Sequence, residues 1–419
     1  IPKMGTGVRF IAFIIIYMIY IIGYTCQCVV TKSAQTCLTN DPKQRPIFAM
    51  CDTVYNIVLM NIMFPIIVTD VLVPKFTLTA EANAAEIASL VAQNPALAGI
   101  VEKSGGSLSA FYNPGLFTTM QLMFGGLSAV FAVCAIIALW RKDNPKYFGL
   151  GTTQKVGIKD YVDTLAHNRA IQMLVVSAST DKLGSSAKSS AVMVAMFACI
   201  AGSNLLQSNV TGLVTIPSTI VCFLFISFFA TRLGQRKAML IGSVGGLITN
   251  GILAALWLFG DPTTMTSNPE TGALNWGYFL IIYLVFTIIT AGFQGISGNI
   301  VIPMTADCAD YEVYRTGKYV PGLMGTLFSF VDKMVSSFAP MVAGIMFSMC
   351  GFTDHNPVMG DLLPRACVWA LSFCAYGMIM LGLVCNLIAM KFYPLTKEKM
   401  AEIQDEVAQI KMKTMAENA

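Results

Sequence analysis

The decapeptide SFVDKMVSSF, Ser329–Phe338, sets a carboxylate and an ammonium side by side, Asp332 and Lys333, inside an apolar run from about 321 to 352. A second such pair, Asp181 and Lys182, stands in VVSASTDKLGSSAKSS between apolar flanks. Groups of this kind can hold an ion, hydrogen-bond a polar solute or pair with each other across a helix interface. The solvent around them decides which.

Composition identifies that solvent. Of 419 residues, 55% are hydrophobic and 12% charged, and the mean hydropathy is +0.65. A soluble domain carries about twice that charged fraction. Apolar stretches recur along the whole chain, each long enough to cross about 30 Å of hydrocarbon. Nine spans are predicted, near 9–31, 47–73, 116–140, 169–201, 209–231, 238–259, 277–302, 320–350 and 366–392. Gly, Pro and Asn punctuate their junctions, as in TNDPKQRP and GDPTTMTSNPETG. Gly, Ser and Thr interrupt the apolar pattern, as in a bundle whose helices approach closely.

Lys and Arg orient the spans. Nineteen of the 27 fall at one set of ends, among them Arg141, Lys142, Arg232, Arg236, Lys237, Arg315 and Lys391. Five fall at the opposite ends and three, Lys182, Lys188 and Lys333, lie within spans. This places the C-terminus in the cytoplasm and Ile1 outside, in a multi-pass protein of the cell membrane. The long connection 141–168 divides the spans three to six, which is lopsided for a fold built from repeated halves. About three N-terminal spans are expected to be absent from this sequence. The net charge of +4 gives no reason to expect a nucleic-acid partner; the expected partners are lipid and a small-molecule solute, and the expected state is a monomer.

Twelve cysteines fall mostly within spans or near the cytoplasmic face, where a free thiol behaves as a small hydrophobe. CQC at 26–28 lacks a second Cys or His pair for a metal, so no metal or cofactor is expected. The segment 74–115 has helical composition and reads as one or two short surface helices, a spacer or a lid. His167 and His355 receive no role.

Each charge at the midplane costs at least about 2.5–3.5 kcal/mol, so such groups face water or a partner. Lys333 lies roughly 18 Å into its span at 1.5 Å per residue, and Asp181 and Lys182 lie at similar depth. Neighbours on a helix diverge by about 100°, so Asp332 and Lys333 cannot simply face each other. Two readings stand: an interhelical ion pair, for instance Lys333 with Asp181, or a substrate or coupling-ion site in a central cavity. The polar fourth span is plausible only beside such a cavity.

Several motifs carry a resemblance. ADCADYEVYRTGK contains Asp307, Asp310, Tyr311, Thr316 and Gly317 in the pattern Asp-x-x-Asp-Tyr-x4-Thr-Gly. FSFVDK fits Ser-Phe-x-x-Lys, with Ser329 and Lys333; LAHNRAIQML fits an Asn-Arg helix start; FYPLTKEK fits a Tyr-Pro-Leu ending; TRLGQRK fits a basic interhelical loop. Together these resemble the glycoside–pentoside–hexuronide cation symporters, the melibiose-permease-like branch of the major facilitator superfamily. The resemblance implies an all-α polytopic membrane protein with about nine of the twelve transmembrane helices. Residues 1–140 would be the remainder of the N-terminal bundle (helices 4–6, with the extracytoplasmic insertion 74–115). Residues 141–168 would be the interdomain loop, 169–392 the C-terminal six-helix bundle and 393–419 a cytoplasmic tail.

The resemblance also implies symport of a sugar, glycoside or uronide with Na+ or H+ by alternating access. Tyr24 would contact the sugar and Thr25 the cation. Cys28 stands where the family carries an acid or amide, and Lys32 near an aromatic sugar platform. Lys333 would link the sugar and cation sites, with Asp181, Lys182 and Ser329 further substrate contacts. Asp41, Arg45, Asp307, Asp310, Tyr311 and Arg315 would belong to the gate, either as a charge network or as a solvated loop. The alternatives are a receptor or scaffold of transporter descent, a symporter of another organic solute, or a membrane enzyme. The last finds no HExxH, GxSxG or paired His to support it.

Overall fold

A computed structural model describes residues 6–38, 47–48, 51, 54–55, 58–59, 63–64, 66–93, 97–103, 106–140, 157–188, 190–201, 204–265, 274–317, 321–352 and 365–417. The chain divides into two compact units, Ile1–Thr53 with Pro145–Ala419, and Val54–Asn144.

The smaller unit contains α2 (Ala80–Gln93), α3 (Leu97–Lys103) and the long apolar α4 (Pro114–Trp140). One or two short helices were expected in 74–115, and α2 and α3 are two. An isolated antiparallel bridge joins Leu78 and Leu108 through two backbone hydrogen bonds of 2.9 and 2.8 Å. Leu78, Ile87, Leu97 and Leu108 make a small apolar core of their own. Asn113 pins this region to the start of α4: its Oδ1 accepts from Gly115 N at 2.9 Å, and its Nδ2 lies 3.4 Å from Phe76 O and from Glu86 Oε1.

The larger unit begins with α1 (Thr6–Leu38). It continues with α5 (Ile158–His167), α6 (Arg169–Ala187), α7 (Ser190–Ala195) and a π-helical turn, Met196–Ile200. Then follow α8 (Asn204–Leu233), α9 (Gln235–Phe259), α10 (Tyr278–Thr316), α11 (Pro321–Ser336) and α12 (Ala339–Met349). The last helices are α13 (Arg365–Ser372), a π-helical turn Phe373–Gly377, α14 (Met378–Phe392) and α15 (Lys397–Glu417). Among the described residues, seven helical stretches are long and apolar enough to cross a membrane. They match seven of the nine expected spans. Of the other two, 47–73 is described only in part, and 169–201 is helical but polar and interrupted after α6.

Two apolar clusters hold the larger unit. One joins α6, α10, α11, the end of α14 and α15, around Leu174, Met304, Met324 and Ile403. The other joins α7, α9, α12, α13 and the start of α10, around Phe197, Trp257, Tyr283 and Tyr376. At the crossing of α6 and α14 the two backbones come close. A Cβ added at Gly184 would lie 2.7 Å from Ile379 Cα, and one at Gly382 would lie 2.6 Å from Thr180 O. Two glycines therefore let the backbones touch, as small residues do in membrane bundles. Ser177, one turn before Thr180, donates its hydroxyl to Asn386 Oδ1 across the same interface.

One expectation needs correction. The acidic signature at 306–317 is not a solvated loop. α10 runs through Pro303 and ends only at Gly317, which adopts φ +70° as a left-handed cap and donates to Val313 O at 2.7 Å. Between Ala306 and Thr316 there is neither Gly nor Pro to stop the helix, and one face packs into the apolar cluster through Cys308, Ala309 and Val313.

Candidate functional site

Asp181 and Lys182 sit more than three turns into α6, and Asp332 and Lys333 near the end of α11. Their helices, with α10, enclose a cleft of about 310 Å³ lined by Ala178, Asp181, Lys182, Ser185, Gln294, Gly298, Val301, Ile302, Phe328 and Asp332. The lining positions on α6 (178, 181, 182, 185) and α11 (328, 332) follow helical spacing, so each helix turns one stripe to the cavity. The cleft lies at the small end of ligand-sized pockets, about 300–1,000 Å³.

Asp181 is anchored. The Ser297 hydroxyl lies 3.1 Å from its Oδ2 and 2.9 Å from Gln294 O. A hydroxyl has one proton, so Ser297 can serve either the carboxylate or its own helix. Asp332 lines the same cleft, whereas Lys333 turns away from it, as the 100° step requires. Its Nζ stands 4.1 Å from the ring centroid of Tyr24 on α1. Lys333 is half-buried, and it faces this ring rather than Asp181, so the ion pair weighed from the sequence is not formed. A cation over an aromatic face is held by the ring quadrupole, worth about 0.5–2 kcal/mol.

Around Tyr24 the expected residues are partly assembled. Cys28 stands one turn on from Tyr24. Thr25 Oγ1 donates to Ile21 O at 2.7 Å, which leaves its lone pairs to accept or coordinate. Ser329 is not brought to the cleft. It is fully buried, with no hydrogen-bond partner for its hydroxyl among the described residues, because Phe328 and Asp332 occupy the cavity stripe of α11 and Ser329 faces the core. Asp41, Arg45 and the side chain of Lys32 lie outside the described residues.

A feature missed from the sequence precedes Tyr24 on the same face of α1. Phe13, Tyr17, Tyr20 and Tyr24 form a ladder of rings with centroid separations of 5.8, 6.3 and 6.2 Å. Its signal was the aromatic spacing of four, three and four in FIIIYMIYIIGYT.

At the end of α10, Asp307 and Asp310 are buried, and Tyr311 stacks beside Tyr314 at 6.4 Å. The best-defined contact there centres on Glu312. Its carboxylate receives Arg315 Nη2 at 2.8 Å and Asn168 Nδ2 at 2.8 Å. Asn168 is also the N-cap of α6, its Oδ1 accepting from Ile171 N at 3.1 Å. One amide therefore caps α6 and ties it to α10. Sequence reading gave Arg315 a place in the gate and marked the Asn-Arg helix start that contains Asn168, but gave neither Asn168 nor Glu312 a part there, although Glu312 stands three residues before Arg315, the spacing of a helical ion pair. Asn168→Asp is expected to keep the cap and to put a second carboxylate against Glu312. The detergent-solubilised protein should lose about 1–3 kcal/mol and melt several degrees lower than Asn168→Ala, which loses only the cap and one donor. Equal melting of the two variants would show that the Asn168–Glu312 contact carries no weight.

The basic loop is tied down as well. Arg236 donates to Met390 O at 3.0 Å and to Lys391 O at 3.2 Å, and Lys397 Nζ to Arg232 O at 3.2 Å. These bonds hold the α8–α9 turn against the end of α14 and the start of α15.

With this geometry in view, comparison with known families is informative. The model of the MFS/sugar transport protein family matches residues 1–397. The chain belongs to this family. Within the family's neighbourhood, it is 25% identical over 256 residues to a glucuronide carrier protein homolog of Escherichia coli K12, covering 59% of this chain and 48% of that protein. It is 22% identical over 211 residues to a putative sulfoquinovose importer of the same organism, covering 49% of this chain and 37% of that protein. The chain thus spans about half or less of the length of these relatives. Membership makes it a multi-pass membrane protein of a transporter family rather than an enzyme, and it agrees with the resemblance read from the motifs.

Proposed function

We propose that the chain forms part of a secondary carrier that moves an anionic sugar or glycoside together with Na+ or H+ by alternating access. The observation that carries this is the cleft itself, where Asp181 and Lys182 of α6 meet Asp332 of α11 against polar Gln294 of α10. Lys333 stands one residue beyond on the Tyr24 ring. These two carboxylates and two ammoniums balance. An arriving anion meets an ammonium and a cation meets a carboxylate, and each bound charge draws the opposite one, so each ligand raises the affinity for the other, as linkage requires. In the low-dielectric interior, loading both together leaves the site neutral and makes the moving state less costly. The names of the two relatives, "Glucuronide carrier protein homolog" and "Putative sulfoquinovose importer", support an acidic sugar.

The rocking of two bundles, the C-terminus inside, a plasma-membrane location and a monomeric state complete the reading. Cys28, in place of an acid, favours a second one, a receptor that binds but does not carry. Counterflow in proteoliposomes separates them. Labelled glucuronide should exchange, and a Na+ or H+ gradient should concentrate it. Binding without exchange would leave the receptor reading, and exchange confined to uncharged glycosides would overturn the anionic one.

A further inference from the structure

The turn between α8 and α9 and the start of α15 enclose another cavity, of about 180 Å³. Three apolar runs set its position. The spans Gly212–Ala230 and Cys367–Phe392 end at it and Gln235–Phe259 begins there, so it stands where hydrocarbon gives way to headgroups. Its lining has two characters. Leu233 and Leu240 are apolar, while Arg236, Lys237 and Lys397 bring three cations from two segments far apart in the chain. Glu398, the carboxylate in the lining, is exposed. Arg236 and Lys397 are fixed by the backbone carbonyls of Met390, Lys391 and Arg232. A carbonyl orients a cation without cancelling its charge. Among the described residues none of the three cations is in an ion pair.

We propose that this cavity binds the phosphate of an anionic phospholipid, whose acyl chains run over Leu233 and Leu240. Charge complementarity selects the headgroup. Three cations against one carboxylate leave a positive surplus, which an anionic headgroup reduces and a zwitterionic one does not; basic pockets at the ends of spans attract anionic lipid in this way. Arg236 spends part of its N–H donors on the two carbonyls and keeps the rest for a phosphate oxygen. Lys237, exposed at the rim, adds a mobile ammonium. The apolar surface selects a lipid over a soluble phosphate. Before Leu233, α8 exposes Ile220, Leu224 and Phe228, a surface for acyl chains with which a soluble anion makes no contact. A phosphate held between Arg236, Lys237 and Lys397 would join the α8–α9 turn to α15 through a lipid. The site does not depend on which side of the membrane holds the C-terminus.

The test compares lipids. Full-length protein is delipidated in mild detergent and returned to nanodiscs of phosphatidylcholine alone or of phosphatidylcholine with phosphatidylglycerol. Phosphatidylglycerol should raise the melting temperature, and native mass spectrometry of the detergent-solubilised protein should retain it in preference to phosphatidylcholine. Lys237→Gln combined with Lys397→Gln removes two charges, while a Gln amide can still donate to Arg232 O. Its affinity for phosphatidylglycerol should fall by roughly tenfold or more, and its melting gain, measured against the same variant in phosphatidylcholine, should shrink accordingly. Lys237→Gln alone should lose an intermediate share, which decides the matter if the double variant does not fold. Lys159→Gln, which removes an exposed charge from α5, should keep full affinity. Equal loss in Lys159→Gln, or no loss in either Lys237 variant, overturns the site, because the lipid is then held by diffuse charge. Equal melting in the two nanodiscs overturns it as well. The same gain from inorganic phosphate or glycerol phosphate overturns the lipid as its occupant. None of these readouts requires transport, so they stand or fall apart from the carrier reading.

Discussion

Gly382→Leu is expected to leave almost no correctly assembled protein. The added Cβ alone would sit 2.6 Å from Thr180 O and 3.0 Å from Thr180 C, which is backbone of the helix that carries Asp181. A crowding side chain can rotate away, but a helix backbone cannot. Overpacking ordinarily costs about 1–3 kcal/mol, and here relief requires α6 and α14 to part. Their parting breaks the Ser177–Asn386 bond as well. Size-exclusion chromatography in mild detergent should show loss of the monodisperse peak, with Gly382→Ala intermediate. Gly184→Leu should behave alike, since its Cβ would meet Ile379 Cα and Met378 O. A Gly382→Leu protein that elutes and melts like the parent would show that the helices do not cross at this distance.

Lys333→Ala is expected to abolish concentrative uptake while the protein still reaches the membrane. What folding loses is the contact with the Tyr24 ring, about 0.5–2 kcal/mol, a modest share of a bundle's stability. What transport loses is a positive charge beside the cleft, and with it the balance against Asp181 and Asp332. Accumulation in vesicles should fall by roughly tenfold or more, the equivalent of about 1.4 kcal/mol of coupling. Lys333→Arg should keep part of the activity, because guanidinium also binds an aromatic face. Tyr24→Phe should retain the ring contact and so hold Lys333 in place. Unchanged accumulation by Lys333→Ala would remove the lysine from the mechanism.

Much of this was legible in the sequence because membranes impose blunt rules. A continuous apolar run has few alternatives to a spanning helix, and seven of the nine expected runs are such helices. Asp332 and Lys333 were expected to diverge, since adjacent helical residues must, and one turns to the cleft and the other to Tyr24. What was not legible depended on partners distant in the chain. The pairing of Lys333 with Tyr24 rather than Asp181 depends on how α1 packs against α11. The bond from Asn168 to Glu312 joins positions 144 residues apart. Ser329 was taken for a cavity residue because it shares a motif with Lys333, but sequence proximity does not decide which stripe of a helix faces inward. The signature at 306–317 reads as a loop because it is rich in Asp, Glu and Tyr. It is helical because its small and apolar residues bury one side and nothing stops the turn before Gly317.

The interruption after α6 has an electrical consequence. A helix that ends at Lys188 exposes there the negative end of its peptide dipoles, about half an elementary charge. The residue at that terminus is Lys188, whose backbone N–H closes onto Gly184 O and whose ammonium rests 4.9 Å from the Tyr376 ring centroid. The broken end thus carries its own counter-ion, seated on a π-face from the neighbouring π-helical turn. A neutral residue at this point would leave the terminal carbonyls without that cation, so the lysine at 188 is in part the means by which the helix can end there.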